Sequence, residues 1–454
     1  MGKRKIVRGR AIRIRPTRMI AVVFAAIILI GALLLTLPVS SRGGQSHGFR
    51  TALFTATSAT CVTGLVMGDT WSLWSGFGQT VIICLIEIGG LGFMSAASVV
   101  LFLFRRKVGL RQRMLMAQAL SVDEMEGVVR LQKWVILGSL SVQTVGALIL
   151  FFRFLPHFGV WVAAKWGVFH AISAFCNAGF DIFGVIAPGQ SVIPFQNDPI
   201  VCLTLMALIV IGGLGFFVWQ DMVTCGKSKK MQVYTKLVLI TTAILLLGGT
   251  VLFLILEWNN PETIGNMPFW EKLLNSGFQS VTLRTAGFAS VDQARLTEGS
   301  KALSVILMFI GGSSGSTAGG VKTVTFIVLI LYIGSRIRGR NTVSVYKRTI
   351  PAQKVIDATT IVFLVVGLAL IGGILICATS AVSFTDALFE SVSALATVGL
   401  TAGVTPGLAL PAQLLIILYM YFGRVGVLTI SLGFLIGNQA EDRFRYADTN
   451  LLIG

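Results

Sequence analysis

The chain has 454 residues, of which 54% are hydrophobic and only 12% charged, with 37 Lys and Arg against 19 Asp and Glu. Soluble domains carry about 25% charged residues, so this composition excludes an ordinary soluble protein and points to an integral membrane protein. Three histidines and six dispersed cysteines supply no HExxH pair, no Ser-His or Cys-His constellation and no CxxC spacing. That argues against an intramembrane enzyme, a disulfide framework or a thiolate metal site.

Taken in chain order, apolar windows of about 20 residues, the length that crosses a bilayer, occur at Met19–Pro38, Val81–Phe104, Trp134–Phe154, Ile200–Trp219, Leu237–Leu256, Ala302–Ile333, Ala358–Ala378 and Ala412–Gly437. These predict eight spans. The first is too long for a signal-peptide core and is expected to be retained. Most Lys and Arg fall in the tail from Lys3 to Arg18, between Arg105 and Lys133, between Lys227 and Lys236, between Arg336 and Lys354, and at Arg443 and Arg445. With eight spans, all these clusters lie on one side, so the positive-inside rule puts both termini in the cytoplasm. Anionic lipid headgroups, not nucleic acid, are the expected partners of this charge.

Each pair of spans encloses a short semi-apolar stretch ending at a glycine: "TCVTGL" at 60–65, "FCNAGF" at 175–180, "TLRTAGF" at 282–288 and "LATVGL" at 395–400. Gly64, Gly179, Gly287 and Gly399 recur at near-constant spacing, the signature of an internal repeat. "ALF" and "SA" precede the first and fourth glycines at matching offsets, and Phe169 and Ser173-Ala174 hold them in the second unit. The third is looser, with Phe278 one residue nearer its glycine. Downstream, "IGGLGF" at 88–93 and 211–216 answers to "IGGSSG" at 310–315 and "FGRVGV" at 422–427. The predicted organisation is a basic tail over 1–18, repeats over 19–110, 130–225, 235–340 and 354–438, and a cytoplasmic tail over 439–454.

A stretch of about ten residues cannot span the hydrocarbon and must re-enter. Extended backbone at membrane depth is tolerated where it is buried or lines a watery path. Four such loops in one chain predict an all-α membrane fold, eight transmembrane and four re-entrant pore helices with pseudo-fourfold symmetry around one pore. Potassium-channel filters replace the ion's hydration shell with carbonyls from four TVGYG loops, and glycine reaches the positive φ this requires. The candidate filter comprises Cys61, Val62, Thr63 and Gly64; Cys176, Asn177, Ala178 and Gly179; Arg284, Thr285, Ala286 and Gly287; and Ala396, Thr397, Val398 and Gly399. Potassium ligands are expected from the carbonyls of Val62, Thr63, Asn177, Ala178, Thr285, Ala286, Thr397 and Val398. An alternating-access carrier fits less well, because two inverted repeats suit that class better than four pore loops.

These four loops, "RTAGF", the glycine-rich break in the sixth span and "GRVG" in the eighth resemble the potassium-translocating, KtrB-type membrane subunits of the Trk/Ktr/HKT superfamily over essentially the whole chain. The resemblance implies channel-like K+ uptake in the cell membrane by a homodimer resting on a cytoplasmic KtrA-type regulatory ring that binds ATP or ADP. The chain has no GxGxxG unit or Walker motif, so no nucleotide is expected on this chain itself. Glycine at position 64 favours potassium within this superfamily. A sodium-selective or sodium-coupled relative is the alternative, and a role for Na+ as activator stays open.

Arg284 is expected to brace its loop through its five N–H donors, with Glu390 a possible anchor. Arg424 takes a position held by Gly90, Gly213 and Gly312 in the other units. Two readings stay open there: a fixed charge regulating K+ passage, or a buried ion pair, for example with Glu87. The break from Gly311 to Lys322 (Gly312, Ser313, Ser314, Gly315, Ser316, Thr317, Ala318, Gly319 and Gly320 between them, with Val321) disfavours helix. It is expected to be a gate in the cavity beneath the filter, whose deletion raises flux and leaves selectivity unchanged. His170 is expected to be a packed neutral side chain, and Asp181 and Asp292 are candidates for attracting cations.

Overall fold

The computed structural model describes residues 16–92, 128–228 and 231–426. The basic segment 105–113, most of the N-terminal tail, the ends of the predicted second and eighth spans and the C-terminal tail lie outside the described residues. Among the described residues, three helices are long, uninterrupted and apolar: α1 (Pro16–Thr36), α8 (Val233–Glu257) and α12 (Ala352–Thr379), of 21, 25 and 28 residues. A fourth, α5 (Val128–Phe175), breaks at Gly159, where φ is 74°. Its first limb matches the long helices, and its second, 160–175, matches three short ones: α2 (Gly48–Thr60), α9 (Phe269–Thr282) and α13 (Phe384–Leu395). At 1.5 Å per residue these short helices extend about 20 Å, less than the hydrocarbon thickness.

A third set follows the loops: α4 (Gly76–Leu91, preceded by the single turn α3, Thr70–Leu73), α6 (Pro199–Leu214), α10 (Glu298–Phe309) and α14 (Leu410–Val425). Ser75, Asp198 and Thr297 cap α4, α6 and α10 by accepting main-chain N–H bonds. α4, α6 and α14 all stop at a glycine of positive φ: Gly92 at 83°, Gly215 at 93° and Gly426 at 95°. After Gly215 the chain turns by 91° into α7 (Phe216–Ser228). The window Ile200–Trp219 therefore bends near its end, because a glycine of positive φ ends the helical bond pattern there. Trp134–Phe154 likewise belongs to a longer bent helix. Only α10 was expected to break; it does, and the chain resumes as α11 (Thr323–Ile337). Beyond α11 a small hairpin, β1 (Ser344–Val345) and β2 (Arg348–Thr349), leads to α12.

The packing is cyclic. Each long helix lies against the short helix that follows it, as α1 on α2, α8 on α9 and α12 on α13. The third-set helices pack on the next segment's short helix: α6 on α9, α10 on α13 and α14 back on α2, while α4 meets α5. The last contact closes the ring. Polarity is inverted relative to a soluble protein. Leu33, Leu137, Phe152, Leu247, Ile255 and Phe363 face outward, whereas Thr55, Ser58, Ser173, Ser280 and Ser393 of the short helices are buried. An apolar shell around hydroxyl-bearing helices is the pattern of a multi-pass membrane protein.

Candidate functional site: a ring of four glycine loops

The short helices end at Thr60, Phe175, Thr282 and Leu395, and the chain leaves each in the same conformation. The residue two before each glycine has positive φ: Val62 at 55°, Asn177 at 59°, Thr285 at 65° and Thr397 at 52°. The glycines follow at 99°, 68°, 83° and 93°. A β-branched residue at positive φ is a genuine outlier, costing about 1–3 kcal/mol and maintained only where the surroundings enforce it. Three of the four loops carry one.

The enforcement is visible. In the first, second and fourth loops an N–H reaches back five residues to the short helix: Thr63 to Ser58 O, Ala178 to Ser173 O and Val398 to Ser393 O, each 2.8 Å. In the third, Ala286 N–H reaches Thr282 O, four residues back, at 2.9 Å. This tighter turn accounts for the one-residue offset of Phe278 in the sequence. Side-chain hydroxyls add a second tie. Ser58 Oγ accepts from Gly64 N–H, and Ser393 Oγ accepts from Gly399 N–H while donating to Leu400 O. Ser173 Oγ donates to Phe180 O and Thr282 Oγ1 to Phe288 O. The sequence displayed Ser58, Ser173 and Ser393 at a fixed offset from the glycines; a fixed hydroxyl was the available signal, and its role as a strut was missed.

The four loops meet. A β-carbon on Gly64 would stand 2.5 Å from Ala178 O and 3.3 Å from the α-carbons of both Gly179 and Gly399. On Gly179 it would stand 2.7 Å from Ala286 O, and on Gly287 2.6 Å from Val398 O. On Gly399 it would collide with Thr63 O. Each glycine therefore faces the carbonyl preceding the glycine of the next loop, in the order one, two, three, four and back to one. Above the ring opens a cavity of about 540 Å³ lined by all four glycines and by Asp69, Asp181, Glu262, Asp292 and Arg295. Asp292 and Glu262 are both paired with Arg295, at 3.2 and 3.6 Å. Asp69 caps α3 through Ser72 N–H at 2.8 Å. Asp181 accepts from Phe183 N–H, and burial, then the neighbouring Asp69, pushes its carboxyl up to about 7.

Below the ring lies the segment 310–322, closed at its base by Gly311 N–H to Val321 O at 2.9 Å. Its Ser313 and Thr317 N–H groups bond Gly213 O and Gly212 O, and its Gly315 and Ser314 carbonyls accept from Phe216 N–H and Tyr234 Oη. Gly319 fits directly against Thr397 and Ala396 of the fourth loop, and Lys322 Nζ donates to Ala318 O at 2.7 Å. Arg424 spans the space beneath: Nη1 donates to Thr317 O, and Nη2 to Gly89 O and Gly90 O. The ion pair with Glu87 is not formed. Glu87 instead accepts from Gln143 Nε2 at 3.0 Å and from Cys176 Sγ at 3.4 Å.

Arg284 is buried, and its Nη2 donates to Gly311 O at 3.2 Å and Thr323 Oγ1 at 3.1 Å, at the two ends of the 310–322 segment. Glu390 is not its anchor. That carboxylate accepts from Thr401 Oγ1, Ala402 N–H and Thr405 Oγ1, fixing the exit of the fourth loop. His170 uses both ring nitrogens internally, Nδ1 on Trp166 O and Nε2 on Ile182 N–H, with its ring stacked on Phe183 at 3.8 Å. The six cysteines are free thiols.

A ring of main-chain oxygens inside an apolar-coated helix bundle marks a multi-pass membrane protein of the cation-transport class. Residues 12–446 match the TrkH family model, described as cation transport protein, and the chain belongs to that family. It is 40% identical to the potassium/sodium uptake protein NtpJ of Enterococcus hirae, over 97% of this chain and 98% of that one. It is 38% identical to the Ktr system potassium uptake protein B of Bacillus subtilis, over 98% of both chains. The crystal structure of the potassium transporter TrkH from Vibrio parahaemolyticus has the same fold, with a TM-score of 0.70 at 17% identity, over 95% of this chain and 86% of that one.

Proposed function

We propose that this chain is the K+-conducting subunit of a Ktr-type uptake system, passing K+ down its electrochemical gradient through the four-loop carbonyl ring. The observation that carries the reading is the cyclic order of glycines and carbonyls. Thr63, Ala178, Ala286 and Val398 would give one plane of ligands, and Val62, Asn177, Thr285 and Thr397 a second, replacing the ion's water. The relatives named for potassium uptake support the choice of ion. The membrane potential supplies about 2.3 kcal/mol per charge per 100 mV, enough to drive accumulation without a chemical step.

In this reading the chain sits in the cell membrane with eight spans, four re-entrant helices, four repeats and both termini cytoplasmic. Two copies form the unit that rests on a nucleotide-binding cytoplasmic ring, with the basic stretch from Arg336 to Arg348 as a docking surface. The 310–322 segment is the gate, held shut beneath the ring by Arg424. The test is flux in proteoliposomes under an imposed potential, with K+, Rb+ and Na+ as competing cations. K+ and Rb+ uptake well above Na+ uptake is expected; no voltage-driven K+ flux would overturn the reading. A second reading, a channel passing sodium as well, is favoured by the Enterococcus relative named for both ions. Comparable K+ and Na+ rates would select it.

A further inference from the structure

The second loop differs from the others at one position. Where they carry Val62, Thr285 and Thr397, it carries Asn177, buried and at positive φ. Asn177 Nδ2 donates to the Arg284 carbonyl of the third loop at 3.3 Å. A carbonyl only accepts, so this contact fixes the amide with Oδ1 turned the other way. There it meets Thr317 Oγ1 of the 310–322 segment at 3.4 Å, sharing that hydroxyl's single proton with Phe175 O at 3.1 Å, so the segment docks on the second loop through two acceptors. Gly212 on α6 leaves the room: a β-carbon there would stand 3.0 Å from Thr317 Oγ1 and 3.1 Å from Asn177 Oδ1. Arg284, whose carbonyl receives Asn177, grips the base of the same segment through Gly311 O and Thr323 Oγ1. A hydrogen-bonded circuit thus runs from the middle of the segment, through two loops of the ring, back to the segment's ends.

We propose that Asn177 is a positioning residue that couples the 310–322 segment to ion selectivity. With Thr317 docked, Asn177 holds the second and third loops at one spacing. When the segment moves away, that tie is released and the ring separates K+ from Na+ less well. The inference rests on the reading of the loops as a filter and of the segment as its gate. It adds that the two are mechanically joined at one side chain. Losing one neutral hydrogen bond shifts an equilibrium about two- to tenfold, and that is the change in selectivity to look for.

The experiment uses the full-length protein in proteoliposomes and measures the K+:Na+ flux ratio. Thr317→Val removes the donor and keeps the shape, and Asn177→Leu removes both amide contacts. Each is expected to lower the ratio about two- to tenfold, with the double variant falling short of the product of the two singles, because both cut the Thr317–Asn177 contact. Thr317→Ser restores the hydroxyl and is expected to keep the wild-type ratio, an outcome that a mere packing role for the methyl group would not give. If Asn177→Leu fails to assemble, Asn177→Val, which puts the residue of the first loop at this position and also removes both amide contacts, takes its place with the same expectation. A wild-type ratio in Thr317→Val, or independent effects that multiply in the double variant, would overturn the coupling while leaving the filter intact. Absence of K+ flux in the wild type would overturn the filter reading first.

Discussion

The carbonyl oxygen of Thr63 occupies the place where a β-carbon on Gly399 would stand. This contact closes the ring between the last loop and the first, and it makes the glycines a backbone requirement. Any side chain at these positions must push a neighbouring carbonyl oxygen aside as well as tolerate positive φ. We therefore expect Gly399→Ala and Gly287→Asp to abolish K+ flux. Gly64→Ser, whose β-carbon would stand 2.5 Å from Ala178 O, is expected to spread the ring and lower K+:Na+ selectivity about tenfold or more, matching about 1–3 kcal/mol of local strain. Flux and selectivity measured at matched expression check this; wild-type behaviour in all three would remove the ring from the conduction path.

The ring was legible in the sequence because it is built from repetition. Four glycines at near-constant spacing, each after a short semi-apolar stretch, survive translation into structure whatever side chains surround them. The helix ends at Gly92, Gly215 and Gly426 were not legible. Leu and Phe or Val flank those glycines, and hydropathy sums straight through a residue whose φ it cannot see. The partners of the buried charges were hidden for a different reason. Arg284 and Arg424 bond main-chain carbonyls of Gly311, Thr317, Gly89 and Gly90, and a carbonyl acceptor leaves no residue signature. The carboxylates that the sequence offers as partners, Glu390 and Glu87, are both satisfied elsewhere.

Arg424 ties the 310–322 segment to the first unit, and its fork makes the contact geometry. Hydrogen bonds from a charged donor contribute about 1.5–3 kcal/mol each, so Arg424→Ala is expected to free the segment and raise resting K+ flux on the order of tenfold or more. Arg424→Lys should resemble Ala, since one ammonium cannot reach both sides as a guanidinium does. No carboxylate is stranded by the change, so assembled protein should be recoverable. Loss of assembly in Ala, Lys and Gln variants alike would make the contact a folding brace.

Asp181 is expected to give the cavity above the ring a pH response near neutrality. Burial and then Asp69 push its carboxyl up to about 7, so it is charged above that pH and neutral below it. Among the carboxylates lining the cavity, Asp292 and Glu262 share the single positive charge of Arg295, and Asp69 lines it as well. Protonating Asp181 therefore removes part of the net attraction for an incoming cation. As external pH falls from 8 to 6, K+ uptake at low salt is expected to drop about twofold. The drop should shrink at physiological salt, where the screening length is about 8 Å. Asp181→Asn should flatten the profile; an unchanged profile would assign the response to another group.

Deleting Gly312–Gly319 tests the gate and its coupling together. A segment that only occludes the path, the expectation from sequence, would leave selectivity untouched when removed. The structure adds two consequences. Thr317 lies within the deletion, so Asn177 loses its partner and Arg424 loses one of its carbonyls. The base of the segment, where Arg284 bonds Gly311 O and Thr323 Oγ1, stays in place, so the third loop keeps its brace and the ring is expected to persist. Flux should rise and become independent of the regulatory partner, and the K+:Na+ ratio should fall by about the factor seen for Thr317→Val, two- to tenfold. The two readings part at the second measurement. Higher flux with an unchanged ratio would leave a gate that is not joined to the filter, and a well-folded protein without flux would make the segment a structural kink.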